Sequence, residues 1–331
     1  MSLKAAIIGA GNMGKAHAKR LIKLGVEVVA LCDNNPAAIQ KFMDDVKPEG
    51  IILYECFDKM LEESNFDMLF ICLPPFAQEG QFEKAAAKGK HIFIEKPIAL
   101  STEIGKKMVN AAVENHIITY VGFHMRKGEA VQKLVELIET GKAGKPVLFN
   151  GQYQCNSLHT PWWINVDLCG GQIFEQAIHL YDMCRYLIGN PKSVSGVMNN
   201  ICHNHIRNYT VEDVSASFAT FTNGAISAIT ANNCAIPRLW TGGFTAVFEN
   251  VVAQFEDSNH AKFAYTSGSE VVYETVVGEN DQYFDEVEEF VQCVEQGKRS
   301  SCDIHEGYKS LNYVETVVKS AKLDGIKLAI E

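Results

Sequence analysis

No run of about 18 consecutive apolar residues occurs in the 331-residue chain, which argues against a transmembrane helix. The opening Met1-Ser2-Leu3-Lys4 passes straight into a strand pattern and lacks the apolar h-region of a secretory leader, so a cytoplasmic location is expected. Positive charge is in deficit: 30 Lys and Arg stand against 40 Asp and Glu, a formal net charge of −10. That balance disfavours nucleic acid or an anionic membrane surface as the main partner. The 10 cysteines include no C-x-x-C pair. Scattered through apolar runs, as at Cys72, Cys184 and Cys293, they read as reduced core thiols rather than a disulfide framework or a zinc cluster. Internal repeats and low-complexity linkers are lacking as well.

What is present begins at the N-terminus. Lys4 to Ile8 reads as a short buried strand, Gly9-Ala10-Gly11-Asn12-Met13-Gly14 follows at once, and a helical stretch runs to Leu24. Val26 to Leu31 is a second strand, ending at Cys32-Asp33. This order of strand, G-x-G-x-x-G turn, helix, strand and acid is a dinucleotide-binding pattern. Gly9 permits the tight turn, Gly11 lets the backbone approach a pyrophosphate, and Gly14 lets the helix pack close to the strand. The helix N-terminus offers free N–H groups to the phosphates, with Asn12 and Met13 in its first turn. Asp33 suits the ribose hydroxyls and would repel a 2′-phosphate, and neither Lys nor Arg adjoins it, so NAD is favoured over NADP.

The βα rhythm continues to about residue 121. The strand Asp67 to Leu73 ends at Pro74-Pro75, a stiff turn suited to the cofactor's edge. His91-Ile92-Phe93-Ile94-Glu95-Lys96-Pro97 is a strand ending in a carboxylate, an ammonium and a proline. Ligands of open α/β sheets sit at the carboxyl ends of strands, which makes Glu95 and Lys96 cofactor-side candidates. The fold class expected is α/β: a doubly wound parallel sheet of Rossmann type over residues 1–121, then an α+β domain with a large, mostly antiparallel sheet over 122–331. Strands are expected at 147–155, 193–198, 211–221, 225–232, 244–248, 251–255 and 271–275, with helices at 282–296 and 305–323.

A second constellation lies in the apolar helix expected over Gln172 to Ile188. Glu175, His179, Asp182 and Tyr186 share one narrow stripe of it. Three readings stand: a core histidine satisfied by the carboxylates, a proton-transfer group oriented by them, or three ligands of a metal. Nicotinamide chemistry needs no metal, so none is expected.

The chain resembles the glucose–fructose oxidoreductase and inositol dehydrogenase family. Gly9 to Gly14, Asp33, Pro74-Pro75, Glu95-Lys96-Pro97, Arg126, Gly170-Gly171, His179-x-x-Asp182 and Glu306-Gly307 carry the likeness. It implies that Lys96 and His179 are catalytic and that Glu175, standing where the family commonly has Asp, orients His179. His179 then takes the proton of a sugar, inositol or related cyclic polyol hydroxyl as hydride leaves for NAD, while Lys96 stabilises the reacting oxygen. Arg126, Asn156, Trp163 and Asp182 are expected on the substrate side, with His159, Trp162 and Asp167 near them; the open alternative is that Pro161-Trp162-Trp163 simply buries a loop. Gln78, Lys127 and Glu129 depart from frequent family residues. The two domains are expected to contribute to one cleft, and the second-domain sheet to form a homodimer or homotetramer. A glycosidase that oxidises its sugar transiently and a non-catalytic NAD and sugar sensor are the alternatives.

Overall fold

The computed structural model describes residues 3–330, which divide into two compact units. The first comprises Met1–Gly122 and Tyr283–Tyr308, the second Phe123–Gln282 and Lys309–Glu331. The stretch Tyr283–Tyr308, expected within the second domain, therefore belongs with the first.

In the first unit, β1 (Lys4–Ile8), β2 (Glu27–Cys32), β3 (Ile52–Tyr54), β4 (Met68–Ile71), β5 (His91–Ile94) and β6 (Thr119–Val121) form one sheet in the order β3-β2-β1-β4-β5-β6. Every pairing in it is parallel. Continuous apolar runs such as Ile92–Ile94 and Met68–Ile71 are wholly buried, as strands covered on both faces require. The helices α1 (Asn12–Lys23), α2 (Pro36–Val46), α3 (Phe57–Glu63), α4 (Gln81–Ala87) and α5 (Thr102–Glu114) connect the strands. Their starts are legible: Asn35 caps α2 with Pro36 at its first position, and Ser101 caps α5.

The late segment 283–308 is stitched onto β6. The Ser300 hydroxyl donates to the Thr119 carbonyl at 2.6 Å, Val121 N–H to the Cys302 carbonyl at 2.8 Å, and Ile304 N–H to the Thr119 hydroxyl at 3.0 Å. Phe290 sets its edge on the stacked rings of Phe70 and Phe93.

In the second unit, α6 (Glu129–Glu139), β7 (Pro146–Gln154), α7 (Val166–Cys169) and α8 (Ile178–Ile188) precede a run of strands. These are β8 (Pro191–Asn199), β9 (Val214–Phe221), β10 (Ile226–Asn232), β11 (Thr241–Phe248), β12 (Val251–Phe255), β13 (His260–Tyr265) and β14 (Val272–Val277). Helix α9 (Gln282–Gln296) lies, but for Gln282, in the returning stretch of the first unit; α10 (Ile304–Lys322) begins in that stretch and runs on into the second unit, which ends with β15 (Leu328–Ala329). Among the described residues these make a nine-stranded sheet, β14-β13-β12-β11-β7-β10-β9-β8-β15. Its pairs are antiparallel except β7 with β10.

One face of this sheet is covered by helices. Tyr181 of α8 bonds Ser217 at 2.9 Å, and Tyr313 of α10 bonds Ser227 at 3.1 Å, so the small residues of β9 and β10 make room for aromatic rings. The opposite face carries Val197, Phe218 and Ile226 exposed. Three details differ from the sequence expectation. β13 and β15 were not foreseen, because the alternation of β13 pairs only Ala261 and Phe263 with polar neighbours, and β15 is two residues long. β9 starts at Val214 rather than Val211, since Glu212 and Asp213 serve as acceptors for loop amides. The helix expected from Gln172 opens with a π-helical turn, Ile173–Ala177, before α8 begins.

Candidate active site

The cofactor cradle is local to the first unit. Gly9 has φ +100°, and a Cβ there would overlap the Cys72 carbonyl. A Cβ at Gly14 would overlap the Gly9 carbonyl, so α1 rests directly on the turn. Gly11 differs: nothing lies within 4 Å of where its Cβ would be, which leaves open space beside the start of α1. Gly11 is the N-cap of α1 without a side-chain cap, and no acid stands in the first turn, so the amides of Asn12 and Met13 keep their positive end for an anion. These residues fit a pyrophosphate.

Asp33 directly follows β2, half-buried, where its Oδ2 accepts the Ala10 N–H at 2.7 Å and its Oδ1 the Asn35 N–H at 2.8 Å. The carboxylate thus ties the glycine turn to the β2 end, and its remaining lone pairs are free for ribose hydroxyls. Pro74 precedes a 3-10 turn, Pro75–Ala77, that carries Gln78 behind it.

Glu95 and Lys96 follow β5 at the same sheet edge, with Glu95 buried and Lys96 half-buried. Glu95 Oε1 lies 2.7 Å from His17 Nε2 on α1. Donor atoms of His17, Glu95 and Glu286 of α9 fall within 4.8 Å of one another, all buried. Phe70 and Phe93 stand 5.7 and 4.8 Å from the His17 ring. Gly122 permits this packing, because a Cβ there would crowd the Glu95 carboxylate at 3.0 Å. A buried carboxylate needs a charged or hydrogen-bonding partner, and His17 fills that place. The residue before Lys96 is thereby anchored. Sequence reading missed both His17 and Glu286. His17 sits on the inward face of α1, where it resembles any other helix residue.

The second unit holds the other candidates. His179 lies in the first turn of α8, buried, with the Phe123 ring edge-on at 6.0 Å and the His124 ring at 4.8 Å. His124, in the 3-10 turn His124–Lys127, is a second imidazole that sequence reading passed over.

The π-helical turn inserts one residue into the helical path. It rotates what precedes it by about 100° relative to a regular helix. Glu175 lies inside this turn, and its Oε2 accepts the Trp163 Nε1–H at 2.8 Å. Trp163 is only 2% exposed and packs with Cys169, Tyr209 and Val211. The structure therefore places Trp163 in a small core. His159 lies over Trp163 at 4.2 Å, and its Nε2 is 2.9 Å from the Gln176 amide nitrogen. Trp162 and Ile206 border the same cluster.

Arg126 and Asp182 find each other. Arg126 Nε donates to Asp182 Oδ2 at 2.8 Å and its NH2 to Oδ1 at 2.7 Å, with both side chains buried. The Ser310 hydroxyl also donates to Asp182 Oδ1 at 2.7 Å. Two residues expected to face substrate thus form a bidentate ion pair beneath α8, and Asp182 is not presented to solvent. Asn156 donates from its amide to the Ala235 carbonyl at 2.9 Å, which is a loop-fastening bond. Glu212 is a further buried acid unforeseen from sequence. It accepts the Ile173 N–H at 2.8 Å, and burial pushes its carboxyl up to about 7. Gly171, at φ +104°, makes room for that carboxylate.

What this set can do chemically follows from residue type. An anion cradle with an acid at the next strand end holds a dinucleotide, an ammonium beside it can steady developing negative charge, and an imidazole can carry a proton.

Comparison with known proteins adds to this. Residues 3–123 match the profile described as the oxidoreductase family, NAD-binding Rossmann fold, and residues 131–250 match the GFO/IDH/MocA C-terminal domain. The chain is similar to scyllo-inositol 2-dehydrogenase (NAD(+)) of Bacillus subtilis strain 168, with 26% identity over 315 residues, 89% of this chain and 87% of that protein. It is also similar to glucose-6-phosphate 3-dehydrogenase of the same organism, with 27% identity over 289 residues, 84% of this chain and 78% of the relative. Among solved structures, levoglucosan dehydrogenase in complex with NADH and levoglucosan superposes with a TM-score of 0.91 at 21% identity, covering 100% of both chains, which shows a shared fold.

Proposed function

The chain belongs to the GFO/IDH/MocA family of oxidoreductases, and from that premise we propose that it oxidises a ring hydroxyl of a sugar, inositol or related cyclic polyol with NAD. The relatives named above act on inositol and sugar phosphate, which supports this substrate class. NAD, when bound, supplies the hydride acceptor.

The chain's own residues have these roles in the proposal. Gly9, Gly11, Asn12, Met13 and Gly14 hold the pyrophosphate at the α1 N-terminus. Asp33 meets the adenosine ribose and disfavours a 2′-phosphate, and Pro74 stiffens the neighbouring strand end. Lys96 donates a hydrogen bond to the reacting oxygen and stabilises its negative charge. Glu95, gripped by His17, fixes the backbone from which Lys96 extends. His179 accepts the hydroxyl proton. Glu175 acts as a positioning residue through the turn that its hydrogen bond to Trp163 anchors. Arg126 and Asp182 brace α8 as a pair, and Asn156 steadies the loop before it.

The observation that carries the reading is the open Gly11 cradle at an uncapped helix start, with Asp33 hydrogen-bonded across the turn. The test is a panel of inositols, aldoses and amino-sugars incubated with NAD and read by NADH absorbance. At least one cyclic polyol should reduce NAD. Silence across the panel despite tight NAD binding would contradict the dehydrogenase reading, and sugar turnover without net NADH would point to transient oxidation instead.

We further propose that the chain works as a homo-oligomer through the outer face of the nine-stranded sheet, in the cytoplasm. Phe218 at 65% exposure and Ile226 at 51% sit on adjacent strands there and favour burial against a copy. Light scattering of wild type and Phe218→Lys checks it: the variant should run at lower mass.

A further inference from the structure

The cysteines of the second unit are not all core thiols. Cys202 is exposed in the loop between β8 and β9, and Cys234 is half-buried just past the end of β10. Their sulfurs and a carboxylate oxygen of Asp213 all lie within 4.8 Å of one another.

The surroundings hold these groups in place. The loop folds around Asp213: Oδ1 accepts the Ile201 N–H at 2.9 Å, and Oδ2 accepts the N–H groups of Cys202 at 2.6 Å and His203 at 2.9 Å. On the other side, Asn233 N–H donates to the Asp213 carbonyl at 2.8 Å, and Cys234 N–H to the Asn232 side chain at 3.3 Å. His203 borders this group of three on the Asp213 side. Its ring stacks on Tyr209 at 4.8 Å, and the Tyr209 hydroxyl accepts from the Asn233 amide at 3.1 Å. His203 Nδ1 is buried, has no hydrogen-bond partner among the described residues, and lies 3.3 Å from Asp213 Oδ2.

Two thiols, an imidazole nitrogen and a carboxylate are a donor set for a borderline-soft ion. Zinc takes such ligands tetrahedrally, with bonds near 2.3 Å to sulfur and near 2.0 Å to nitrogen or oxygen. That geometry puts the two sulfurs about 3.8 Å apart, inside the 4.8 Å that encloses the donor atoms of Cys202, Asp213 and Cys234. Calcium and magnesium prefer oxygen ligands throughout. A simple disulfide would leave the buried His203 Nδ1 without a partner. We propose that Cys202, Cys234, Asp213 and His203 form a zinc site that closes the β8–β9 loop onto the end of β10. Binding replaces the two thiol protons by the ion and releases them to solvent. The site is structural, because all four positions are filled by protein. It is independent of the oxidoreductase reading. Its mechanical consequence passes through Asn233, whose side chain also holds the Ser157 N–H and carbonyl and so fastens the loop leading to His159 and Trp163.

The experiment uses the full chain, purified under reductant without chelator. Elemental analysis should find about one zinc per chain, and cobalt added to the chelator-stripped protein should give a thiolate-to-cobalt charge-transfer band. Cys202→Ser and Cys234→Ser should each lose most of the band and the zinc while keeping the wild-type circular dichroism and NADH binding. His203→Ala should keep the thiolate band with altered ligand-field absorption. Absence of the band in wild-type protein with titratable thiols would overturn the proposal. So would a band surviving the double serine variant, or a metal-free protein lighter by two hydrogens with Cys202 and Cys234 cross-linked.

Discussion

The imidazole of His17 and the carboxylate of Glu95, 78 positions apart in sequence, meet at 2.7 Å among the rings of Phe70 and Phe93. Breaking a buried pair of this kind costs about 3–5 kcal/mol. His17→Ala should therefore lower the unfolding free energy by an amount of that order, read as a fall in the urea midpoint, and His17→Gln, which can still donate to Glu95, should recover part of it. Equal loss in both variants would mean that the ring's packing, rather than its bond to Glu95, matters.

Lys96→Met should leave NAD affinity unchanged and lower turnover by about a hundredfold or more, the range for losing a group that stabilises a reacting oxygen. Fluorescence titration with NADH separates binding from turnover. Near-normal turnover would remove Lys96 from the chemistry.

Asp33→Ser should act twice, since the carboxylate fastens the Ala10 N–H at 2.7 Å as well as disfavouring a 2′-phosphate. Loss of charged hydrogen bonds predicts an NAD KM raised by about tenfold or more. The ratio of kcat/KM for NAD over NADP should fall in the same variant. Steady-state kinetics with both cofactors reads each effect.

The Arg126–Asp182 pair gives a thermodynamic cycle. Arg126→Met alone should destabilise the chain by about 3–5 kcal/mol, because Asp182 stays buried without its main partner. Adding Asp182→Leu should restore only part of that loss, because the Ser310 hydroxyl loses its acceptor and the buried Arg185 loses the carboxylate 3.7 Å away, though Arg185 still donates to Ser310. Additive losses measured by denaturant unfolding would show that the two residues do not act as a pair.

His91 sets a pH dependence. Burial holds its imidazole below the ordinary 6.5, and its Nδ1 accepts the Ile118 N–H at 3.0 Å, which requires the neutral ring. In the unfolded chain the ring gains a proton as pH falls past 6.5, while the folded chain resists until lower pH. Stability from this group is thus present above pH 6.5 and is lost as pH drops through the depressed folded value. Unfolding curves of wild type and His91→Gln should converge as the pH is lowered through that window, and parallel curves would refute the assignment.

The first sheet and its glycine turn were legible because their signals are local. Gly9, Gly11, Gly14 and Asp33 lie within one βαβ unit, where spacing alone dictates contact. His17 and Glu95 could each be read as ordinary, since only the parallel sheet brings α1 to the end of β5. Glu286 was further out of reach, being supplied by a helix from the far end of the chain. The stripe of Glu175, His179 and Asp182 assumed a regular helix. The π-helical turn at Ile173–Ala177 leaves no mark in hydrophobic periodicity, so the partnership of Glu175 with Trp163 was hidden. Cys202 and Cys234 looked like scattered thiols until β9 and β10 paired and carried their ends together.

The return of Tyr283–Tyr308 to the first unit has a consequence during synthesis. A nascent chain that has emerged only as far as Gly122 has its sheet strands but not Phe290 or Glu286. At about 5–20 residues per second, the ribosome reaches the end of that segment roughly ten to forty seconds later. Through that interval the Phe70 and Phe93 rings lack Phe290, and the β6 edge lacks its bonds to Ser300 and Cys302, which makes this stage a binding opportunity for chaperones. It also means that a fragment ending at residue 122 is a poor choice for expressing the cofactor domain alone.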